Sequence, residues 1–193
     1  MSDLLKVKVG GSSYLCKWTD NTVTVGNIAY KYVQVGSFYI ITENLRYHTV
    51  DAYFYPNNDS SLESSMGLLY TAYSVFNEII PILPTGWRVP SINDFAYLYD
   101  NVAKPSNKYI STLDGGSDDY GLNIRLCGYR NKNGTFVYFG DRCLLWSSTW
   151  KGDSNTYNAD FTFNSNMMTD DYSRGTPSDR YNTALGVRII KDV

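Results

Sequence analysis

Acid–base, nucleophilic and metal chemistry draw on a short list of side chains, and this chain offers few: one histidine, three cysteines and 19 carboxylates in 193 residues. A lone His48 rules out His-cluster metal sites and weakens a Ser–His–Asp reading. The chain has no Cys-x-x-Cys, no glycine-rich phosphate loop after a strand and no His/carboxylate cluster. Glu43 can be read as a catalytic carboxylate, but its place at the end of a strand-like segment makes it a hydrogen-bonded strand-end residue. Asp118-Asp119 invites calcium, which needs about six to eight oxygens from several segments. The EF-hand spacing is missing, so the pair reads as part of a solvated loop. We therefore expect no catalytic residues, no cofactor and no calcium or zinc site formed by this chain alone. The chain reads as a non-enzyme.

The cysteines are Cys16, Cys127 and Cys143, and an odd count argues against a complete disulfide framework. Cys127 and Cys143 fall on neighbouring predicted strands and could pair; buried thiols are the expected state. Recognition chemistry is better represented. Residues 151–180 are rich in Asn, Ser, Thr, Asp, Tyr and Gly around Met167 and Met168. Rigid tyrosines among small polar residues are what recognition loops use. Tyr157, Tyr172 and Arg174 are the candidate ligand- or partner-binding side chains, since aromatics and arginine dominate binding hot spots. Residues 53–55 and 106–119 are candidate neighbours, because segments without periodicity can vary without unfolding the domain.

The elements that must position these loops centre on Leu83-Pro84-Thr85-Gly86-Trp87-Arg88-Val89-Pro90-Ser91. Upstream, Leu69, Tyr73, Phe76 and Ile80 form a helical stripe over residues 67–80, with Ala72 and Ile79 beside it, and Pro81 ends it. Downstream, Ser91 with Asp94 makes a capping-box pair, and Phe95, Leu98, Tyr99 and Val102 predict a helix over residues 91–103. Pro84 and Pro90 impose extended chain before them. The segment is a stiff elbow with Trp87 as its buried anchor.

The remaining patterns are strands. Leu5, Val7 and Val9, a Gly10-Gly11-Ser12-Ser13 turn, then Tyr14, Cys16 and Trp18 predict a β-hairpin, and residues 22–25 a further short strand. Residues 31–41 are strand-like with a turn at Gly36-Ser37, and residues 104–120 a long loop. Residues 123–130 and 135–139 flank Asn133-Gly134, a type I′ turn signal. Residues 143–148, 157–163 and 182–190 predict three more strands, the last with Leu185, Val187 and Ile189 inward. The chain divides into residues 1–29, a β attachment or oligomer-building segment, and residues 30–193, the main domain. Apolar content of 43% suffices for a core, and a net charge of −2 gives no electrostatic case for nucleic acid or anionic membrane. Eighteen tyrosines against eight phenylalanines suit half-buried strands and recognition surfaces alike.

Gly86-Trp87-Arg88-Val89-Pro90-Ser91, followed by a helix, resembles the signature of the Fibrobacter succinogenes major paralogous domain. Further signatures follow in order: Ile41-Thr42-Glu43-Asn44-Leu45-Arg46-Tyr47, Gly67-Leu68-Leu69-Tyr70-Thr71, Gly128-Tyr129-Arg130-Asn131, Trp146-Ser147-Ser148-Thr149 and Gly186-Val187-Arg188-Ile189. The resemblance implies an α+β, C-type lectin-like fold: two helices packed on antiparallel sheets with a long-loop face. It makes Leu83, Trp87, Trp146 and Ile189 structural residues. Family members often carry cysteines where this chain has Leu83 and Ile189, so an aliphatic contact is expected in place of a disulfide. The Glu-Pro-Asn, Gln-Pro-Asp and Trp-Asn-Asp motifs of calcium-dependent sugar binding are missing. No matching pair of redox cysteines is found for the similar formylglycine-generating enzyme fold. The resembled family is often exported, whereas the N-terminus shows no export signal and no run of about 18 apolar residues suggests a membrane span. These expectations combine in a non-catalytic binding or display protein. A bacteriophage virion fibre or capsid-decoration protein, folded in host cytoplasm, fits best, with a bacterial cell-surface adhesin as the alternative. An enzyme or an intracellular ligand-binding domain is the third reading. Expected partners are further copies of the chain or virion proteins, and a host-surface carbohydrate or protein; the hairpin's apolar face should be buried on another subunit.

Overall fold

The computed structural model describes residues 4–9, 12–101, 108–149, 160–164 and 182–193, the side chains of 4–9, 12–20, 99–101 and 160–164 left aside. Leu4–Val9 (β1) pairs antiparallel with Ser12–Val25 (β2), placing Leu5 opposite Cys16 and Val7 opposite Tyr14. The second half of β2 pairs with Ile28–Val35 (β3), which turns at Gly36-Ser37 into Phe38–Ile41 (β4). Val23 and Val25 are buried in the main core, so this half of β2 is built into the principal sheet. The C-terminal strand Ile190–Asp192 (β12) closes that sheet against β4, in the order β1-β2-β3-β4-β12.

A second five-stranded sheet is assembled from short pieces: Tyr53–Phe54 (β5), Leu69–Thr71 (β6), Tyr129–Arg130 (β7), Phe136–Val137 (β8) and Ala184–Leu185 (β11), in the order β5-β6-β11-β7-β8. Arg142–Trp146 (β9) and Asp160–Asn164 (β10) form a two-stranded antiparallel ribbon. With a few short helices, the architecture is α+β with antiparallel sheets.

The first predicted helix is displaced. Residues 69–71 are β6, and the helical run starts at Ala72 because Thr71 Oγ1 accepts the Ser74 N–H at 3.2 Å. That run (α2) begins as Ala72–Ser74, widens to a π-helix over Val75–Ile79 and tightens to a 3-10 turn over Ile80–Ile82. Its buried face is therefore Ala72, Val75 and Ile79, while Tyr73 is 37% exposed. Leu69 reaches the core from a strand. Pro81 does not end the run; it sits in the first turn of the 3-10 segment, where its missing N–H is not needed. A single short turn, Glu63–Met66 (α1), precedes these elements.

Two further expectations change. The Asn133-Gly134 turn is not type I′. Gly134 has φ +85° and Asn133 is not left-handed; Asn131 Oδ1 accepts the N–H groups of Asn133 and Thr135, each at 3.0 Å. One left-handed glycine after a local turn is the pattern of a three-residue hairpin loop. The segment read as a solvated loop before residue 120 is tied into the core by Tyr109, Ile110 and Tyr120, all nearly fully buried. Ile110 bridges to Ile124, and Ser111 caps a 3-10 turn at Thr112–Asp114.

The elbow is as its sequence implies, with one correction. Ser91 Oγ accepts the Asp94 N–H at 3.2 Å, and Asp94 Oδ2 accepts the Ser91 N–H at 2.6 Å, a reciprocal capping box opening Ile92–Asn101 (α3). Phe95 and Leu98 are buried beneath it; Tyr99 and Val102 lie outside the described side chains. Trp87 is half-buried, not a buried anchor, and sets its ring edge-on to Tyr32 at 5.2 Å. Leu83, half-buried, packs on the cluster that contains fully buried Ile189. Arg88 bridges the elbow to the C-terminus, pairing with Asp94 through both nitrogens and with Asp192 at 3.1 Å.

Burial alone would push the Asp94 carboxyl up, but the Arg88 guanidinium and the Ser91 hydrogen bonds outweigh it and hold it below the ordinary value. A depressed folded-state pKa stabilises above the unfolded carboxylate pKa, about 3.9, and that contribution is lost as pH falls through the folded value. Urea unfolding from pH 6 downward should therefore show Asp94→Asn less stable than wild type at pH 6, the gap closing below about pH 4. Parallel profiles would refute the assignment.

Candidate functional site

Two adjoining surface clefts share Arg46 and Glu63. One, about 420 Å³, is lined by Asn27, Ile28, Arg46, Tyr47, His48 and Glu63; the other, about 350 Å³, by Arg46, Glu63, Ser60, Ser61 and Ser64. The chain segment at their centre is pinned from below by two core tyrosines. Tyr30 accepts the Arg46 N–H at 3.0 Å, and the Tyr70 hydroxyl donates to the Tyr47 carbonyl at 2.9 Å. Burial raises the Tyr30 phenol to about 12, Arg46 opposing, and pushes the Tyr70 phenol well above its ordinary value. Both phenols are thus neutral donors and acceptors at any physiological pH. The β2–β3 turn forms one wall. Its Gly26, at φ +61°, lies so close to the Tyr47 ring that a Cβ would fall 2.4 Å from a ring carbon, so only glycine lets the turn approach.

The exposed side of the cleft is aromatic and charged. Arg46 sits over the Tyr30 ring at 5.4 Å and pairs with Glu43 at 3.2 Å. His48 Nε2 lies 2.8 Å from Glu63 Oε1, and its ring stacks on Tyr53 at 4.4 Å. Tyr53 meets Tyr55 edge-on at 5.8 Å. Beside them Asp59 accepts from the N–H and hydroxyl of Ser61, which hold its carboxyl below the usual range. Such a surface offers stacking faces, a guanidinium, carboxylates and serine hydroxyls. That inventory suits polar ligands presenting both hydroxyls and apolar edges.

Tyr157, Tyr172 and Arg174 lie outside the described residues. Of their expected neighbours, Tyr53 stacks on His48, which lines the cleft, and Tyr55 meets Tyr53. In residues 106–119 the carboxylates of Asp114 and Asp118 are engaged elsewhere. Asp114 takes Arg125 through both oxygens, at 2.8 and 3.3 Å, and also the Leu126 N–H. Asp118 accepts the Asn123 N–H at 2.8 Å and is raised by burial. Glu43 is half-buried beside Arg46.

The sequence reading missed a fully buried arginine with four hydrogen bonds. Arg188 is buried and donates through Nε to Asn44 Oδ1 at 2.7 Å, through Nη1 to the Ile41 and Leu122 carbonyls at 2.6 and 2.9 Å, and through Nη2 to the Asn123 carbonyl at 3.2 Å. Burial lowers its pKa to about 10, so it stays protonated at neutral pH. Asn44 also donates to the Met66 carbonyl at 3.1 Å and to Cys127 Sγ at 3.6 Å. Trp146 is buried too, with Nε1–H on the Tyr70 carbonyl at 2.7 Å. These contacts join four of the motifs quoted above, so the motifs mark the chain's internal fastening. Their presence together in one sequence was the available signal.

The match is now plain. The chain belongs to the Fibrobacter succinogenes major domain family, whose model matches residues 26–191. No curated protein and no solved structure matches it. No helix among the described residues is long and apolar enough to cross a membrane.

Proposed function

We propose that the chain is a non-catalytic recognition and display module on a C-type lectin-like frame. Pairing of β12 with β4, which brings the end of the chain back beside its first third, and the long segments between short strands support that frame. The observation that carries the function is the aromatic and charged cleft around Arg46, His48 and Glu63. Of the family-motif residues, Asn44, Trp146 and Arg188 are spent on packing, whereas Arg46 and Tyr47 line the cleft.

The setting we favour is a bacteriophage virion fibre or capsid-decoration protein, with a bacterial cell-surface adhesin as the alternative. Leu83 packs against the hydrophobic cluster that contains Ile189, and Cys127 and Cys143 are buried as free thiols. A core held without disulfides suits folding in a reducing cytosol before action outside the cell. β1, an edge strand of its sheet, supports assembly with further copies or with other virion proteins. The ligand would be a host-surface carbohydrate or protein.

The test is binding of labelled protein to whole bacterial cells and to an immobilised glycan array. The double variant Arg46→Ala with His48→Ala should bind at least about tenfold more weakly. Its melting temperature should fall by no more than about 4 °C, because both side chains are partly exposed. The triple variant of Tyr157, Tyr172 and Arg174 to alanine should lose attachment in the same way. Wild-type attachment by both variants would remove the recognition reading.

A further inference from the structure

Cys127 and Cys143 are buried nucleophiles that recognition does not use, 1% and 0% exposed. Their Sγ atoms stand 3.8 Å apart. The backbone holds them there. Gly128 bridges in parallel to Cys143, and its N–H donates to the Arg142 carbonyl at 2.7 Å. Gly128 has φ +64°, and a Cβ there would lie 2.5 Å from the Val137 carbonyl oxygen, so this tight crossing requires glycine. Asn44 fixes Cys127 from the other side, and through Asn44 the sulfur is tied to Arg188. Contact with the Cys143 thiol outweighs burial and, with the Arg188 charge helping, lowers the Cys127 pKa, while Cys143 is raised. The pair is thus unequal, one sulfur suited to react first and the other to resolve.

We propose that Cys127 and Cys143 are an oxidative modification site, closing into an intramolecular disulfide when the protein meets hydrogen peroxide or another small hydroperoxide. A bulky disulfide reagent cannot reach sulfurs this buried, whereas a peroxide is near the size of water. The Cys127 thiolate attacks one peroxide oxygen; an S–O bond forms, the O–O bond breaks and hydroxide leaves, taking up a proton as water. The Cys143 thiol then attacks the sulfenyl sulfur; the S–S bond forms, the S–O bond breaks, and the departing hydroxide takes up the Cys143 proton as a second water. Two thiols and one hydrogen peroxide give one disulfide and two waters, the sulfurs losing the two electrons that the peroxide gains. Closing the gap takes the sulfurs from 3.8 Å to about 2.05 Å. The bond would lock β7, β8 and their turn onto the start of β9, so a protein that folds reduced would be fastened on reaching an oxidising exterior. Cys16 takes no part: its register position is opposite Leu5 in the β1–β2 pairing, whereas Cys143 lies in the β9–β10 ribbon.

The experiment treats reduced, folded full-length protein with hydrogen peroxide, with free glutathione in the same tube as a positive control. The remaining thiols are alkylated after denaturation, and the digest is mapped by mass spectrometry. Wild type should lose two of its three thiols and two hydrogens, give one cross-linked peptide pair joining Cys127 to Cys143, and recover both thiols with dithiothreitol. A Cys16→Ser variant should give the same cross-link; wild-type mapping decides if that variant does not fold. Oxygen addition without a cross-link, a cross-link through Cys16, or intact thiols while the glutathione is oxidised would each overturn the proposal.

Discussion

Replacing Arg188 by alanine should remove about 4 kcal/mol or more of unfolding free energy, close to the most a single substitution costs. The guanidinium satisfies four acceptors at once, Asn44 Oδ1 and the carbonyls of Ile41, Leu122 and Asn123, and so ties two distant segments to the C-terminal chain. Truncation leaves these oxygens inside the protein without their charged donor. Each unpaired buried acceptor costs about 1–3 kcal/mol, less than additively where neighbours or water can adjust. Arg188→Lys tests the geometry separately from the charge. An ammonium is a point donor and cannot span the fork from Asn44 to Asn123, so lysine should still cost about 2–3 kcal/mol. Urea unfolding at pH 7 measures both. An alanine variant within about 1 kcal/mol of wild type would show that this network is not what joins the segments.

Arg188 also marks where the sequence stopped being legible. Alternation places Leu185, Val187 and Ile189 inward, and by the same rule turns Arg188 toward solvent. In the structure Val187, Arg188 and Ile189 are all buried, because the chain between β11 and β12 runs through the interior with a polar pocket on its second side. That pocket is built by Asn44, Leu122 and Asn123, far away in sequence, and no local pattern announces it. The elbow was legible for the opposite reason. Ser91, Asp94, Pro84 and Pro90 act on neighbours a few residues away, and the capping box formed as written. The first helix was half legible. Its apolar spacing is real, but Leu69 has a sheet partner in β5 and Tyr70 has partners on both sides, in β5 and β11, and cross-strand pairing took them from the helix. Of the candidate site, the aromatic cluster at residues 53–55 was visible as composition. Arg46, His48 and Glu63 were not, since they share a cleft only after the chain has folded back on itself.

The two tryptophans of the family motifs should differ sharply when removed, and in the order opposite to the one the elbow suggests. Trp87 stands among prolines and looks like an anchor, yet it is half-buried and meets Tyr32 edge-on at the rim of the core. Such a ring pair is worth about 0.5–1.5 kcal/mol beyond the burial of area. Trp146 is 5% exposed, ends β9 opposite Asp160, and uses its indole N–H on the Tyr70 carbonyl and its backbone N–H on the Gly186 carbonyl. It therefore clamps β6 to the chain beyond β11 from inside the core. Trp146→Ala should cost about 3–5 kcal/mol, the usual range for a large aromatic removed from a packed core. Trp87→Ala should cost about half of that or less, since its site opens to solvent and leaves no closed cavity. Trp146→Phe separates the two parts of the larger loss. It keeps most of the ring and strands the Tyr70 carbonyl, for about 1–3 kcal/mol. Urea midpoints at an unchanged denaturant slope give all three values. Equal losses for the two alanine variants would mean that the elbow carries as much of the core as β9 does, and the ranking drawn from burial would fail.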